Sequence, residues 1–177
     1  MPHEFIDDLT AMEEILRQET VGWLGLYGDD GPYVVPLNYA YAGGRILFHC
    51  ALEGRKLDCI RARPDVCFAV GRQSGGLRRH AEGELCHLDS DSVICHGRAR
   101  ILGELAERTA ALNAFQRAFR PDAPPIPDKQ VQGCGAVEIV IREMTGRRER
   151  ARQRTLWRHL FLEPRNLQGV APGGREA

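Results

Sequence analysis

Short alternating segments separated by glycine-containing turns constrain the fold of this chain more than any other feature of its sequence. Residues 20–50 read TVGWLGLYGDDGPYVVPLNYAYAGGRILFHC, in which apolar and polar positions alternate. Glycine and aspartate at 28–31, and the glycines within 42–44, tolerate the positive φ angles of tight turns. The pattern predicts three antiparallel strands that follow one another in a meander.

The rest of the chain predicts a single core with helices on its outside. The 177 residues are 43% hydrophobic, which suffices for one well-buried core but not for two. Apolar residues at helical spacing predict helices at 7–18, 54–63 and 104–119. Further strands are predicted at 65–71, 81–89, 92–102 and 135–144, with loops at 73–80 and 121–127 and a turn at 89–91. Many short strands with glycine turns are typical of a small barrel.

An arginine-rich segment ends the patterned part of the chain. Residues 147–158 contain six arginines and one glutamate. Apolar residues between and after these arginines predict an amphipathic helix that packs on the barrel or on a partner subunit. Residues 166–177 are rich in glycine and proline and are predicted to be a disordered tail, beyond a single domain over 1–165.

Composition and charge exclude several classes of function. The formal net charge is zero, so no overall field attracts nucleic acid or an acidic membrane surface. No apolar run is long enough to span a bilayer and residues 1–8 do not resemble a secretion signal, so we expect a cytoplasmic protein. The six cysteines form no C-x-x-C pair, and we expect them to be reduced. The pairs Cys86-His87 and Cys95-His96 point adjacent side chains to opposite faces of a strand, so no metal site is predicted.

Four stretches of the sequence resemble one known group of proteins. They are YVVPLNYAY, RILFHCALEGRKLDCIRARPDVCF, SVICHGRARIL and VEIVIREMTGR. With these stretches the chain resembles the flavin-binding split-barrel proteins of the pyridoxamine 5′-phosphate oxidase-like superfamily, nearest to the nitroimidazole-resistance (nitroimidazole reductase-like) branch. The resemblance implies a mainly β fold, a six-stranded antiparallel split β-barrel of Greek-key topology with flanking α-helices. It also implies a homodimer with FMN bound in grooves at the subunit interface.

Two adjacent cations, Arg55 and Lys56, follow Gly54 at a predicted helix start. Most adjacent basic residues are solvated on a protein surface. The resemblance places the phosphate of FMN at this position. A phosphate dianion is stabilised by fixed cations together with the backbone N–H groups of a helix N-terminus. Arg55 and Lys56 are therefore the predicted phosphate ligands.

The resemblance also implies which other residues contact the flavin. His49 matches a histidine near the flavin and is the candidate catalytic residue, because the ordinary pKa of histidine lies near neutrality and allows it to deliver a proton. Asn38 can both donate to and accept from the pyrimidine edge of the ring. The remaining matches are Val35, Pro36 and Leu37, which with Asn38 form the strand along the isoalloxazine, and Ser92 and Val93, at a second phosphate or ring contact.

Bound FMN predicts a flavin-dependent oxidoreductase that reduces a small acceptor, which is a nitroaromatic compound in the nearest branch. A flavin- or haem-binding carrier or sensor without turnover is the alternative, since related split barrels include haem proteins. The candidate axial ligands of a haem are His49, His80, His87 and His96. A third hypothesis is a barrel that has lost its ligand and serves as an interaction protein. The retained cation pair weighs against this third hypothesis.

Overall fold

The computed structural model describes residues 5–6, 8–79, 86–150 and 153–161, which form nine strands and four helices. The strands are β1 (Phe5–Ile6), β2 (Val21–Gly28), β3 (Gly31–Asn38), β4 (Ala40–Ala42), β5 (Arg45–Cys50), β6 (Asp65–Arg79), β7 (Cys86–Ile101), β8 (Gly135–Arg150) and β9 (Gln153–Leu160). The helices are α1 (Leu9–Gln18), α2 (Arg55–Ala62), α3 (Leu105–Phe119) and α4 (Asp128–Gln132). The two predicted turns are present, with Gly31, Gly43 and Gly44 at positive φ. The predicted three-stranded meander is wrong, because within the described residues these turns close two separate hairpins, β2 with β3 and β4 with β5, and β3 pairs with neither β4 nor β5.

The nine described strands belong to one sheet that does not close on itself. Its order is β1-β9-β8-β7-β6-β2-β3, with β5 paired to β8 and β4 paired to β5, and every pair except β1 with β9 is antiparallel. Within the described residues β3 pairs only with β2, and β5 beyond Leu47 pairs only with β8. These two open edges interrupt the barrel. The predicted fold class, a mainly β split barrel with flanking helices, is confirmed, although the sheet has nine strands rather than six.

Strand β5 separates two hydrophobic cores. Phe48 packs into the larger core, inside the barrel, whereas Leu47 packs into a smaller core against α3. Each of these two side chains is 1% exposed. Burying a side chain of this size contributes roughly 1.5–3 kcal/mol, so β5 is anchored on both of its faces. The residues that end β5, and the start of α2 that follows, are therefore held in place by packing on both sides.

Two long strands replace a predicted loop and a predicted turn. β6 continues through the expected loop at 73–80, as far as the structure describes it, and β7 passes without a break through the expected turn at 89–91. The Asp91 side chain within that stretch is 0% exposed. It accepts hydrogen bonds from Arg72, Arg148 and Arg150. We call Asp91 and these three arginines the Asp91 cluster. Because the arginines neutralise the carboxylate, the strand can continue through polar residues typical of a turn.

The predicted amphipathic helix at 147–158 is wrong. Its first residues extend β8 and its last residues lie in β9, which pairs antiparallel with β8. Trp157 is 4% exposed and lies opposite Gly146, where the Cβ of any other residue would come within 2.7 Å of the indole ring. Arg158, on the other face of β9, pairs with Glu143 at 2.9 Å. The period of two in a strand thus buries the indole and leaves the neighbouring arginine beside a carboxylate.

The predicted helices at 54–63 and 104–119 are confirmed as α2 and α3. Helix α4 was not predicted, because its five residues are too few to show a helical period. Residues 166–177, the predicted tail, lie outside the described part of the chain. No helix in the described ranges is long and apolar enough to cross a membrane.

Candidate functional site

Helix α2 begins at a glycine that leaves its N-terminus open. Gly54 has a φ of 130°, a conformation that other residues rarely adopt, and its carbonyl accepts hydrogen bonds from Leu57 N at 2.8 Å and Asp58 N at 3.2 Å. No side chain caps this end of the helix. A Cβ built on Gly54 would meet no atom within 4 Å. The first backbone N–H groups of α2 therefore lie at the end of a helix beside unfilled space.

The two predicted phosphate ligands occupy different surroundings at this helix end. Arg55 donates two hydrogen bonds to the Asp30 carboxylate, at 2.7 and 2.8 Å, and its guanidinium lies 4.3 Å from the centre of the Tyr33 ring. The Lys56 ammonium lies 5.2 Å from the centre of the Phe48 ring. Within the described residues Lys56 has no ion pair. Arg55 is therefore already paired with a carboxylate, whereas Lys56 is a cation with no described anionic partner.

A cavity of about 330 Å³ lies beside Arg55. Its lining includes the aspartates Asp29, Asp30 and Asp58 together with the backbone of Gly28. Asp58 in turn accepts a hydrogen bond from Arg61 at 2.8 Å. An anion that approaches Arg55 from this side meets more carboxylates than cations, so the open helix end, and not this cavity, is the better position for a phosphate.

The predicted ring strand, β3, alternates between the core and the surface. Val35 and Leu37 are half-buried and pack against the barrel core, whereas Pro36 and Asn38 are exposed. Asn38 donates a hydrogen bond from its side-chain amide to Thr20 O at 3.0 Å. This bond fixes the amide and leaves its oxygen as an acceptor. All four residues thus lie on an open edge of the sheet, but Val35 and Leu37 are on its core side and Pro36 and Asn38 are on its exposed side.

His49 is placed on a different side of β5 from Phe48. Its imidazole is exposed and meets the Phe115 ring edge-to-face, with 5.0 Å between ring centres and an angle of 88°. It lines a mostly apolar cavity of about 440 Å³ between β5 and α3. The cavity lining also contains Leu112, Phe115, Gln116, Phe119, Arg120, Ile126, Gln130 and Cys134. His49 is the only one of the predicted flavin contacts in this lining.

The thiol next to His49 is not an activated nucleophile. Burial raises the pKa of Cys50, and the nearby Lys56 only partly offsets the rise. Cys134, which lines the same cavity as His49, places its thiol 3.7 Å from Cys50 O. Both cysteines are free thiols. They act here as small packing residues.

Ser92 and Val93 lie on β7, apart from the start of α2. Val93 is 0% exposed and belongs to the barrel core, so its side chain is not available to a ligand on the surface. Ser92 is half-buried on the opposite face, between Gly71 and Arg147 in the ladder. Within the described contacts of one chain, the structure brings neither residue to Lys56 or His49.

An apolar area covers the outside of the sheet near Ser92. Trp23 on β2 pairs with Ala69 on β6, which pairs with Ile94 on β7, so the area is continuous across three strands. Trp23 is 43% exposed and Val34, on β3, is 60% exposed. We call this area the outer apolar face; its large exposed members are Val21, Trp23, Tyr27, Val34 and Ile94. An exposed apolar area of this kind usually marks an interface.

Sequence reasoning missed the cavity beside His49. Its walls come from β5, α3, the loop before α4, α4 itself and Cys134, which are distant in sequence. The spacing of Leu112, Phe115 and Phe119 predicted only that one face of α3 is apolar. The exposed position of Phe119 at the helix end, 39% accessible, is the sign that this face extends beyond the core.

Three comparisons place the chain among known proteins. A candidate 5-nitroimidazole antibiotic resistance protein from Bacteroides thetaiotaomicron VPI-5482 has a similar structure, with a TM-score of 0.70 and 24% identity over 81% of this chain and 85% of that one. An FAD and haem binding protein from Mycobacterium smegmatis is also similar, with a TM-score of 0.71 and 12% identity over 96% of this chain and 92% of that one. At these identities the likenesses show the fold.

Sequence comparison gives the family. The uncharacterised protein RA0666 of Rhizobium meliloti (strain 1021) is 40% identical over 42 residues, which are 24% of this chain and only 27% of that relative. A family model described as pyridoxamine 5′-phosphate oxidase matches residues 8–148, which is most of the chain. The match covers β2 to β7, β8 as far as residue 148, and helices α2 and α3. The chain therefore belongs to the pyridoxamine 5′-phosphate oxidase family.

Proposed function

We propose that this protein binds a flavin, FMN, and acts as a flavin-dependent oxidoreductase on a small acceptor. The observation that carries the proposal is the uncapped N-terminus of α2, where Gly54 has open space beside it and is followed by Arg55 and Lys56. Membership of the family supports it, as does the similarity in fold to a protein that binds FAD and haem. A cytoplasmic location and reduction of nitroaromatic acceptors remain predictions within this proposal.

The residues at the helix end fit a phosphate. Two backbone N–H groups at a helix N-terminus and the Lys56 ammonium would supply donors and positive charge to the dianion. Arg55 would join them by exchanging one of its hydrogen bonds to Asp30 for a bond to the phosphate. Both partners of the Arg55–Asp30 pair are more than half exposed, so the exchange costs little.

The ring would lie along the open edges of β3 and β5. Unpaired backbone groups at these edges, with the Asn38 amide held by Thr20, would bind and orient its polar rim. When bound, the flavin supplies two-electron transfer. His49 would hold a proton on one of its imidazole nitrogens at the mouth of the 440 Å³ cavity, where an acceptor could take it up.

We further propose a homodimer through the outer apolar face. Trp23, Val34 and Ile94 would be buried by a second copy, which removes their apolar area from water. Ser92 lies on β7 beside this face, so in a dimer it could approach a cofactor held by the partner subunit. This would account for a predicted cofactor contact that lies apart from the other predicted contacts in one chain.

The first test is the absorption spectrum of the protein as purified, followed by titration of flavin-free protein with FMN and with riboflavin. Flavin bands and a preference for FMN of tenfold or more are expected, because riboflavin lacks the phosphate. Equal affinity for the two ligands would contradict the phosphate site. Anaerobic addition of a reduced nicotinamide then separates enzyme from carrier, since only an oxidoreductase bleaches its flavin on the timescale of turnover.

A haem-binding carrier is the second candidate. The observation in its favour is an exposed histidine, His49, at a mostly apolar cavity of about 440 Å³. His96 is exposed on β7, and the side chains of His80 and His87 lie outside the described residues. A Soret band that disappears in His49→Ala would establish this candidate, and its absence after haem is added would exclude it.

A further inference from the structure

The cavity between β5 and α3 is large enough for a ligand of its own. At about 440 Å³ it lies in the range of small-molecule sites, and its walls are mostly apolar. None of the residues at the proposed phosphate position, Gly54, Arg55 and Lys56, lines this cavity. The cavity is therefore lined by a set of side chains separate from the proposed phosphate position.

Aromatic side chains shape one wall of this cavity. Phe115 meets His49 edge-to-face at 5.0 Å and lies against Phe119 at 4.9 Å, with an angle of 41° between the two phenyl rings. Leu112 and Ile126 complete the apolar part of the lining. Rings arranged in this way offer both edges and faces to a further flat ring, which aromatic contacts favour beyond simple burial of area.

A cation lies at the mouth of the cavity. Arg120 follows the last residue of α3, is exposed, and lines the cavity. Within the described residues its guanidinium has no ion pair and no hydrogen bond. An arginine at a helix C-terminus is favourable by itself, because the helix dipole is negative there. Because Arg120 also lines an apolar cavity, it can bind the carboxylate of a ligand there, since a guanidinium binds a carboxylate through two parallel hydrogen bonds.

We propose that this cavity binds a planar aromatic carboxylate of one or two rings. The ring system packs against Phe115 and Phe119 beside His49, and the carboxylate pairs with Arg120. The inference deepens the proposed function. It rests on that function in one respect, namely that the aromatic carboxylate lies next to a bound flavin. The binding itself requires only the chain described here.

The test is calorimetric titration of flavin-free protein with 2-naphthoate and with 2-naphthamide, which has the same rings and no charge. Wild type is expected to bind the acid at least tenfold more tightly than the amide. Arg120→Gln should remove this preference, because it deletes the charge-assisted pair. Arg117→Gln is the matched control, since Arg117 lies in the last turn of the same helix and does not line the cavity, and it should keep the preference. Phe115→Leu should weaken binding of both probes.

Several results would overturn the inference. They are no binding of 2-naphthoate at millimolar concentration, equal binding of acid and amide by wild type, and the same loss of preference in Arg117→Gln as in Arg120→Gln. Competition by riboflavin would assign the cavity to the flavin ring, and a Soret band lost in His49→Ala would assign it to haem. An FMN titration of the same proteins separates this inference from the proposed function: naphthoate binding without FMN binding contradicts only the latter.

Discussion

Arginine has two different roles in this protein. The arginines of the Asp91 cluster stabilise the fold, whereas Arg55, at the start of α2, is available to bind a ligand. In the cluster three guanidinium groups meet one carboxylate that is 0% exposed, and they join β6, β7 and β8. At α2, Arg55 meets Asp30 in a pair whose side chains are 52% and 69% exposed. The hydrogen bonds to Asp91 measure 2.9–3.2 Å and those from Arg55 to Asp30 measure 2.7 and 2.8 Å, so bond length does not account for the tighter hold of the cluster. The burial of the acid determines whether an arginine is fixed in the fold or remains available to a ligand.

The three arginines of the cluster shift the pKa of Asp91. Burial by itself raises the pKa of this carboxyl group, but hydrogen bonds from Arg150, Arg148 and Arg72 outweigh that effect and lower the pKa to about 2. The cluster also reaches α1, because Arg72 lies 3.9 Å from Glu19 and donates a hydrogen bond to Gln18. The start of α2 has no comparable network among the described residues.

Asp91→Asn should have the largest effect. It leaves three arginines around a neutral amide in a buried position, and breaking a buried ion pair costs about 3–5 kcal/mol. Urea denaturation followed by circular dichroism measures the loss of unfolding free energy. Asp30→Asn, at the exposed pair, is the control and should change it by less than about 1 kcal/mol. Equal losses in the two variants would mean that burial does not distinguish the two regions.

Replacing both Arg55 and Lys56 by alanine should affect the ligand and not the fold. FMN affinity is expected to fall by a factor of at least about 100, because charge-assisted hydrogen bonds to phosphate contribute roughly 1.5–3 kcal/mol each. The unfolding free energy of the flavin-free protein should stay within about 1 kcal/mol of wild type, since the Arg55–Asp30 ion pair is exposed. Quenching of flavin fluorescence measures the affinity. Arg61→Ala, on the same helix, should leave it unchanged, and an unchanged affinity in the double variant would refute the phosphate site.

Acid should reduce the stability that the Asp91 cluster contributes to the fold. The folded pKa of Asp91, about 2, lies below the value of about 3.9 in an unfolded chain, so the carboxylate contributes stability above pH 4. That contribution, about 2 kcal/mol, is lost as the pH falls from about 4 towards 2. Urea titrations at several pH values should therefore show the curves of wild type and Asp91→Asn converging in this window. A constant separation down to pH 2 would be the opposite result.

Asp30→Asn should have the smallest effect, and it should be a gain. Removal of this carboxylate releases Arg55 and takes away a negative charge near the phosphate, so FMN affinity is expected to rise a few-fold. The rise should be smaller at high salt, because the groups are exposed. Asp58→Asn, whose acid pairs with Arg61, serves as the control. A loss of affinity in Asp30→Asn would show that Asp30 positions Arg55 for the ligand.

Local chemistry in the sequence predicted the two tight turns and α2 correctly, because their signals lie within a few residues. Gly31, Gly43 and Gly44 supply positive φ, and Pro64 stops the helix that Gly54 starts. The path of β7 through 89–91 could not be predicted in this way. The arginines that neutralise Asp91 are 19, 57 and 59 residues away, so the sequence around Asp91 reads as a turn until the fold is known.

In the candidate site, too, the part formed by residues adjacent in sequence could be predicted and the part formed by distant segments could not. The phosphate ligands could be named because a glycine and two cations are adjacent in sequence. The cavity beside His49 could not, since Phe115, Arg120 and Cys134 come from separate segments and carry no shared pattern. The arginine-rich segment was predicted to be a helix and not a strand. Its arginines occupy positions on both faces of the described strands, so the alternation of buried and exposed residues that buries Trp157 is not visible in the sequence.

The two prolines of β3 have a consequence for how this protein behaves at high concentration. Pro32 and Pro36 lie on the same face of a strand whose described partner is β2 alone, four residues apart. A proline in an edge strand lacks the N–H that a further strand would need. The edge is thereby protected from adding strands of other copies, the step by which exposed sheets begin to aggregate. The barrel can thus stay open at β3 without becoming a template for fibres.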